Sequence, residues 1–522
     1  MSCANIIVNC FFTALCILVT HLLLKAKVNF IPESVAIVFL GALIGLTMKL
    51  LSNHGLANWQ KEEAFPPTLF FLLMLPPIIF ESGYNLHKGN FFQNIGSILT
   101  FAVLGTTVSA FIIGGGLYFL GQAEVVYTFS AVESFAFGSL ISAVDPVATL
   151  AIFQAIDVEP VLYMLVFGES VLNDAVAIVL TTTVLELEKS QNADMTAGAS
   201  FLQAVGTFCM MFFGSAAIGV VTGLVSALFL KHIDLRNTPS LEFGLMMIFS
   251  YLPYGLAEGL HLSGIMAILF CGIVMSHYTH YNLSPVTQIT VQQTFRTLSF
   301  MAETCVFAYL GMAIFSFNHI LKPATVIWAI VLCLLSRATN IFPLSYLCNY
   351  FREHKITKKM QFVMWFSGLR GAVAYALCLH LGFQGEKGRI LVTTTLVTVL
   401  FSVLILGGST MPILKFLNTQ TPARVGRTRK PKEVTLSKTR EMGDAVDSEH
   451  LSEMTDQEYE VNFVRPHLTG FVKLDVRYLN PFFTRRFTQQ ELPRWKERDI
   501  ETDQSRNQEV AGETVDIGYD FR

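Results

Sequence analysis

The strongest constraint in this 522-residue chain is a series of apolar runs, each about as long as a bilayer is thick. They lie near 6–24, 31–50, 67–84, 94–120, 135–156, 160–185, 201–230, 241–259, 262–277, 291–316, 324–349, 360–382 and 389–416. Spanning the hydrocarbon core takes about 20 helical residues. At that depth no water satisfies a peptide group, so a spanning segment must bond its own backbone, and each run reads as helix. The expected fold class is therefore all-α, a polytopic membrane protein of about thirteen transmembrane helices. Composition agrees: hydrophobic residues make up 52% and charged ones 14%, against about 25% charged in a soluble domain. No phosphate-binding glycine loop, zinc spacing or nucleic-acid module is visible. The nine cysteines include no CxxC pair, and eight lie inside apolar runs, where cysteine acts as a small buried residue.

The first run lacks a basic start, and Lys25 and Lys27 follow it, so it reads as a retained helix or signal anchor. Lys88, Lys231, Arg236, Arg352, Lys355, Lys358 and Lys359 fall on the same side as that pair. Loop 121–134 on the other side has no cation. The positive-inside rule then places the tail in the cytosol. The Asn282-Leu283-Ser284 sequon falls on the cytosolic side and is expected to be unmodified. The chain divides into a transmembrane domain, 1–417, and a tail, 418–522, rich in both signs of charge. Within the tail, 471–487 is more apolar and is expected to dock on the helices or lie at the membrane surface, and the distal part reads as disordered.

Charged side chains at bilayer depth are costly and mark ion or proton paths. Outside the short turn that joins them, the two apolar segments of 138–180 carry three carboxylates, Asp145, Glu169 and Asp174. Pro146 removes a backbone donor and predicts a broken helix beside Asp145. Broken helices build ion sites near the bilayer midplane; the alternative here is a plain proline kink. On the next helix Ser170 and Asp174 are four apart, as are Glu169 and Asn173, so each pair stacks along one side. Asp, Ser and backbone carbonyls offer the oxygen donors a hard cation takes. Asp174 and Asp145 are the candidate cation ligands, with Asn173 and Ser170 beside them. One carboxylate can hold a cation or a proton, but not both. Arg337 and Arg370 lie inside apolar runs, and an arginine there needs a partner. Charge balance pairs Arg337 with Glu169. Arg370, between Gly368 and Gly371, reads as the counterpart of the Asp145 break. Glu81, after Pro76-Pro77, either joins the site or caps a short helix. Glu242 and Glu258, near helix ends, are expected to reach water. His277 and His280 lie near a turn and are either a pH sensor or ordinary loop histidines.

The segments LPPIIFESGY, AVDPVA, FGESVLNDAV and GLRGAVAYAL resemble the sodium/proton exchanger family of the cation/proton antiporters, and the likeness runs from about residue 30 to 487. That resemblance implies inverted repeats, two crossing discontinuous helices at Asp145 and Gly368–Gly371, and a dimerisation domain beside a moving core. It implies a homodimer in the Golgi and late secretory pathway or an apical plasma membrane, with Asp174 as the ion-binding carboxylate. The Asn173-Asp174 pair implies electroneutral exchange. Glu81 departs from the aspartate many plasma-membrane members carry there.

The expected activity is electroneutral antiport of sodium or potassium against protons, by alternating access, regulating luminal or cytosolic pH. No cofactor, enzymatic chemistry or nucleic-acid partner is expected. The partners are the two ions, membrane lipids, a second copy of the chain and regulators of the tail. The rival readings are a cation channel, for which no selectivity-filter motif is visible, and a sodium-coupled solute symporter.

Overall fold

The computed structural model describes residues 14–15, 17–19, 33–53, 70–86, 88–145, 160–190, 197–235, 238–316, 319–351, 355–380, 385–409 and 479–484. Among these residues the ordered elements are helices. In chain order they are α1 (Glu33–Asn53), α2 (Leu75–Tyr84), α3 (Lys88–Leu99), α4 (Thr106–Gln122), α5 (Ala131–Ile141), α6 (Pro160–Ser190), α7 (Ala197–His232) and α8 (Pro239–Gly259). Then come α9 (Gly264–Val274), α10 (Pro285–Ser316), α11 (Pro323–Phe351), α12 (Lys358–Phe366), α13 (Ala372–His380), α14 (Gly385–Phe401) and the short α15 (Asn480–Phe483). Wider π turns lead into α2, join α3 to α4 and extend α14. Six continuous helices among the described residues are long and apolar enough to cross a membrane. Each predicted run from 31–50 onward contains helix. Most of the first run, Pro146 and the chain to Glu159, and the tail outside 479–484 lie outside the described residues.

The helices pack as two bundles. In the first, α1 lies along α10, α9 packs on α2, α7 and α8, and α2 also meets α10. In the second, α4 packs on α5 and α11, α6 on α3 and α5, and α14 on α11 and α13. Contacts between the bundles run mainly through α6 against α7 and α10 against α13.

Close approach in the first bundle depends on small residues. Gly41 and Gly45 of α1 are four apart and lie against the backbone of Ala308 and Met312 on α10. Gly311 of α10 faces α1, and a Cβ there would sit 2.8 Å from the Ala42 nitrogen. Lipid tails are as apolar as leucine, so such backbone-to-backbone packing, rather than hydrophobicity, drives association in a bilayer.

Local chemistry sets the ends of the second bundle's helices. α5 begins at a capping box: the Ser130 hydroxyl accepts from the Glu133 N–H, and the Glu133 carboxylate accepts from the Ser130 N–H. Lys387 at the start of α14 pairs with the same carboxylate at 3.1 Å. Pro76 and Pro77 fall in the first turn of α2, after a π turn. One expectation needs correction. Glu242 does not reach water. It is 1% exposed, and its oxygens accept from the Ser284 N–H and the Ser284 and Thr287 hydroxyls, capping the start of α10. Three donors satisfy a buried carboxylate that periodicity placed near a helix end.

Gly311→Val is expected to destabilise the protein by about 1–3 kcal/mol, because the new side chain meets backbone that cannot yield. Gly115→Ala, where a Cβ meets nothing within 4 Å, is expected to be neutral or slightly stabilising. Thermal unfolding of the two variants in detergent checks the contrast.

Candidate ion-binding site

The site forms where the second bundle's helical backbone is interrupted twice. α5 ends at Ile141, and residues 143–145 continue without helix. The break therefore begins before Pro146, not at it. α12 ends at Phe366, and the chain runs unwound through Gly368–Gly371 before α13 starts. The two unwound stretches cross, and the Asp145 N–H donates to the Leu369 carbonyl at 2.9 Å. Gly371 permits the crossing: a Cβ there would lie 2.6 Å from Asp145 Oδ2.

Helix ends at membrane depth leave carbonyls that need donors. The buried Arg370 guanidinium supplies them to α5, with Nη1 donating to the Ser142 carbonyl at 2.8 Å and to that of Ala143 at 3.4 Å. A cation at a helix C-terminus also opposes the negative end of the helix dipole. Ser402, in the π turn after α14, holds the backbone of Arg370 itself: its hydroxyl accepts from the Arg370 N–H at 3.1 Å and donates to the Arg370 carbonyl at 3.0 Å.

α6 holds the other strand of the crossing. The Ser170 hydroxyl donates to the Val144 carbonyl at 2.7 Å, and the Asn173 side-chain oxygen accepts from the Val144 N–H at 3.3 Å. Both residues are buried. The sequence suggested them as groups beside the ion; here they hold the unwound backbone. Glu169, one position earlier, is paired through both oxygens with Arg337 of α11. Arg337 also donates to the Met364 carbonyl near the end of α12, at 3.1 Å. The Arg337–Glu169 pair expected from charge balance is thus present, and it ties α6, α11 and α12 together.

Asp174 differs from its neighbours on α6. It is only partly buried, and among the described residues its carboxylate has no hydrogen-bond or ion-pair partner. It lies close enough to Asp145 for the two charges to repel. Glu81 accepts from Asn85 Nδ2 at 2.9 Å, just past the end of α2.

Sequence reasoning missed Ser402. The same run holds Thr394, Thr395 and Thr398, which bond back to carbonyls of their own helix. Only the tertiary position of Ser402, beside an unwound strand, distinguishes it, and composition carries no signal for that. The part of the Ser142 carbonyl as an acceptor for Arg370 was likewise not visible.

Residues 11–416 match the sequence profile of the family described as sodium/hydrogen exchanger, transmembrane. The chain is 63% identical over 481 residues to sodium/hydrogen exchanger 8 of Mus musculus, covering 92% of this chain and 83% of that protein. It is 39% identical over 410 residues to sodium/hydrogen exchanger 1 of Dictyostelium discoideum, covering 78% of this chain and 58% of that one. Among solved structures it resembles the sodium proton antiporter MjNhaP1 of Methanocaldococcus jannaschii at pH 8, with a TM-score of 0.59 and 18% identity, over 79% of this chain and 99% of that one. At that identity the likeness concerns the fold.

Removing one partner of a buried pair strands the other's charge and costs about 3–5 kcal/mol. Glu169→Ala is expected to destabilise the protein by that amount. The Glu169→Ala, Arg337→Leu double variant is expected to lose less than the two single losses together, and a thermal-unfolding cycle in detergent measures the difference.

Proposed function

This chain belongs to the sodium/hydrogen exchanger family, and from that premise we propose that it performs sodium/proton antiport with Asp174 as the group that carries the ion. The observation that supports the proposal is the setting of Asp174: partly accessible, without a hydrogen-bond or ion-pair partner among the described residues, and within electrostatic range of Asp145.

Charge supports one-for-one exchange. Asp145, Asp174 and Glu169 oppose Arg337 and Arg370, so the five residues carry one net negative charge when all are ionised. One monovalent cation or one proton neutralises it. The empty, charged site crosses the membrane poorly, because an uncompensated carboxylate in a low dielectric is costly. That penalty couples the two fluxes. A gradient of one pH unit, worth about 1.4 kcal/mol, drives a tenfold gradient of the cation. No cofactor is needed.

The movement is alternating access, in which the second bundle, carrying the crossing, shifts against the first, which serves as the dimerisation domain of a homodimer in the lipid bilayer. Asp145 completes the cation's oxygen shell, with Ser170 and Asn173 shaping it, while Glu169, Arg337 and Arg370 support it. Glu81 lines the approach from α2. Potassium is a second cargo of the same oxygen site. The transmembrane domain spans 1–417, and the tail, 418–522, is cytosolic and receives regulators. The Golgi and late secretory pathway, or an apical membrane, is the setting in which such exchange regulates pH.

In vesicles under an imposed pH gradient, added sodium is expected to restore pH without current. A channel would give current, and a symporter would require a solute. Asp174→Asn is expected to abolish the flux while the chain still folds; retained acid-driven sodium flux in that variant would remove Asp174 from the mechanism. In the unmodified protein, apparent sodium affinity is expected to fall about tenfold per pH unit on the acid side, since one proton competes for one site.

A further inference from the structure

The corner between α9 and α10 is irregular. A π turn, Met275–Thr279, passes into a 3-10 turn, His280–Asn282, before Pro285 opens α10. Irregular backbone at the end of a membrane bundle needs side chains to hold it. Several come from α7 and α2. The Ser226 and Thr279 hydroxyls lie 2.8 Å apart, Ser276 donates to the Tyr84 carbonyl at 2.5 Å, and the Tyr84 hydroxyl is hydrogen-bonded to His280 Nδ1 at 2.8 Å.

The remaining support comes from the tail, about two hundred residues further along the chain. Asn282 is 1% exposed, and its side-chain amide donates to the Ala227 carbonyl at 3.0 Å and to the Phe483 carbonyl at 2.9 Å. The tail thus accepts one of the amide's two hydrogens. Lys231, in the last turn of α7, donates to the Phe482 carbonyl at 2.7 Å. The Phe483 ring is buried against Ala227 and Tyr278, with the Tyr278 ring centroid 5.4 Å away, while Phe482 is 60% exposed. Two adjacent phenylalanines thus have opposite environments, as expected of a docking element rather than a generally sticky segment. The same bonds occupy the Asn282 amide, which leaves that sequon without a free acceptor nitrogen.

We propose that Leu479–Thr484 is an intramolecular clasp. Phe483 and the Phe482 and Phe483 carbonyls brace the α9–α10 corner against α7, and through Ser276 and His280 the corner holds the end of α2 at Tyr84. This joint is the point at which the tail acts on the membrane helices. The clasp does not depend on which ion the site carries.

Hydrogen-exchange mass spectrometry on the full chain in lipid tests it. Phe483→Ala is expected to speed amide exchange in 275–284 and at the end of α2 by about tenfold or more, as a lost local brace should. Phe482→Ala is expected to leave both unchanged, and slow exchange in α6 reports an intact fold. Equal exchange in the two variants overturns the proposal. A Leu228→Cys, Phe483→Cys chain adds a test without an alanine truncation: a short thiol cross-linker is expected to join the two positions. If both cysteines react singly and no link forms, the clasp is refuted even where Phe483→Ala fails to fold.

Discussion

Backbone groups that no helix can satisfy, held inside a membrane bundle, govern this architecture. At the crossing, the last carbonyls of α5 point where no further turn follows. Arg370 answers them from the opposite unwound strand, and α6 answers Val144 with a hydroxyl and an amide. Each of these side chains is buried, so each bond has little competition from water. Remove these donors and acceptors and the crossing would be an unsatisfied gap, which the bilayer does not tolerate. The other contacts in the second bundle, including the Arg337–Glu169 pair, keep α6, α11 and α12 in register so that these bonds can form.

That requirement divides the polar residues of α6 by role. Glu169, Ser170 and Asn173 are committed to protein partners. Each makes at least one bond to the protein, which fits them to hold shape. Asp174, next in the chain, has no such bond among the described residues and keeps some access. A site that must release its cargo cannot satisfy every ligand internally, and a site that must not collapse cannot leave every ligand free. The sequence GESVLND places three bonded polar residues and one partly accessible carboxylate within two turns of one helix.

Much of this was legible before any coordinates. Apolar run length located the helices, because the bilayer imposes one length on all of them. Charge balance paired Glu169 with Arg337, since an intramembrane arginine has few alternatives. Four features were not legible, for physical reasons. The helix break begins before Pro146 because Arg370 stabilises an early end to α5, a tertiary effect. Ser170 and Asn173 have the chemistry of cation ligands and of backbone clamps alike, and only proximity to Val144 chooses. Ser402 looks like every other hydroxyl in its run. Glu242 lies near a helix end, where water is the usual partner, but the start of α10 reaches it first.

The α9–α10 corner solves the same problem by another route, and the contrast bears on regulation. At the crossing, the side chains that satisfy the broken backbone among the described residues, Arg370, Ser170, Asn173 and Ser402, belong to the second bundle. At the corner, one acceptor for the buried Asn282 amide comes from residue 483, far along the chain and past α14. A brace supplied from outside a bundle can be withdrawn without unfolding it, whereas one built from its own helices cannot. The crossing therefore suits a permanent site and the corner suits an adjustable one. That difference follows from where the donors and acceptors reside, not from how strong any single bond is.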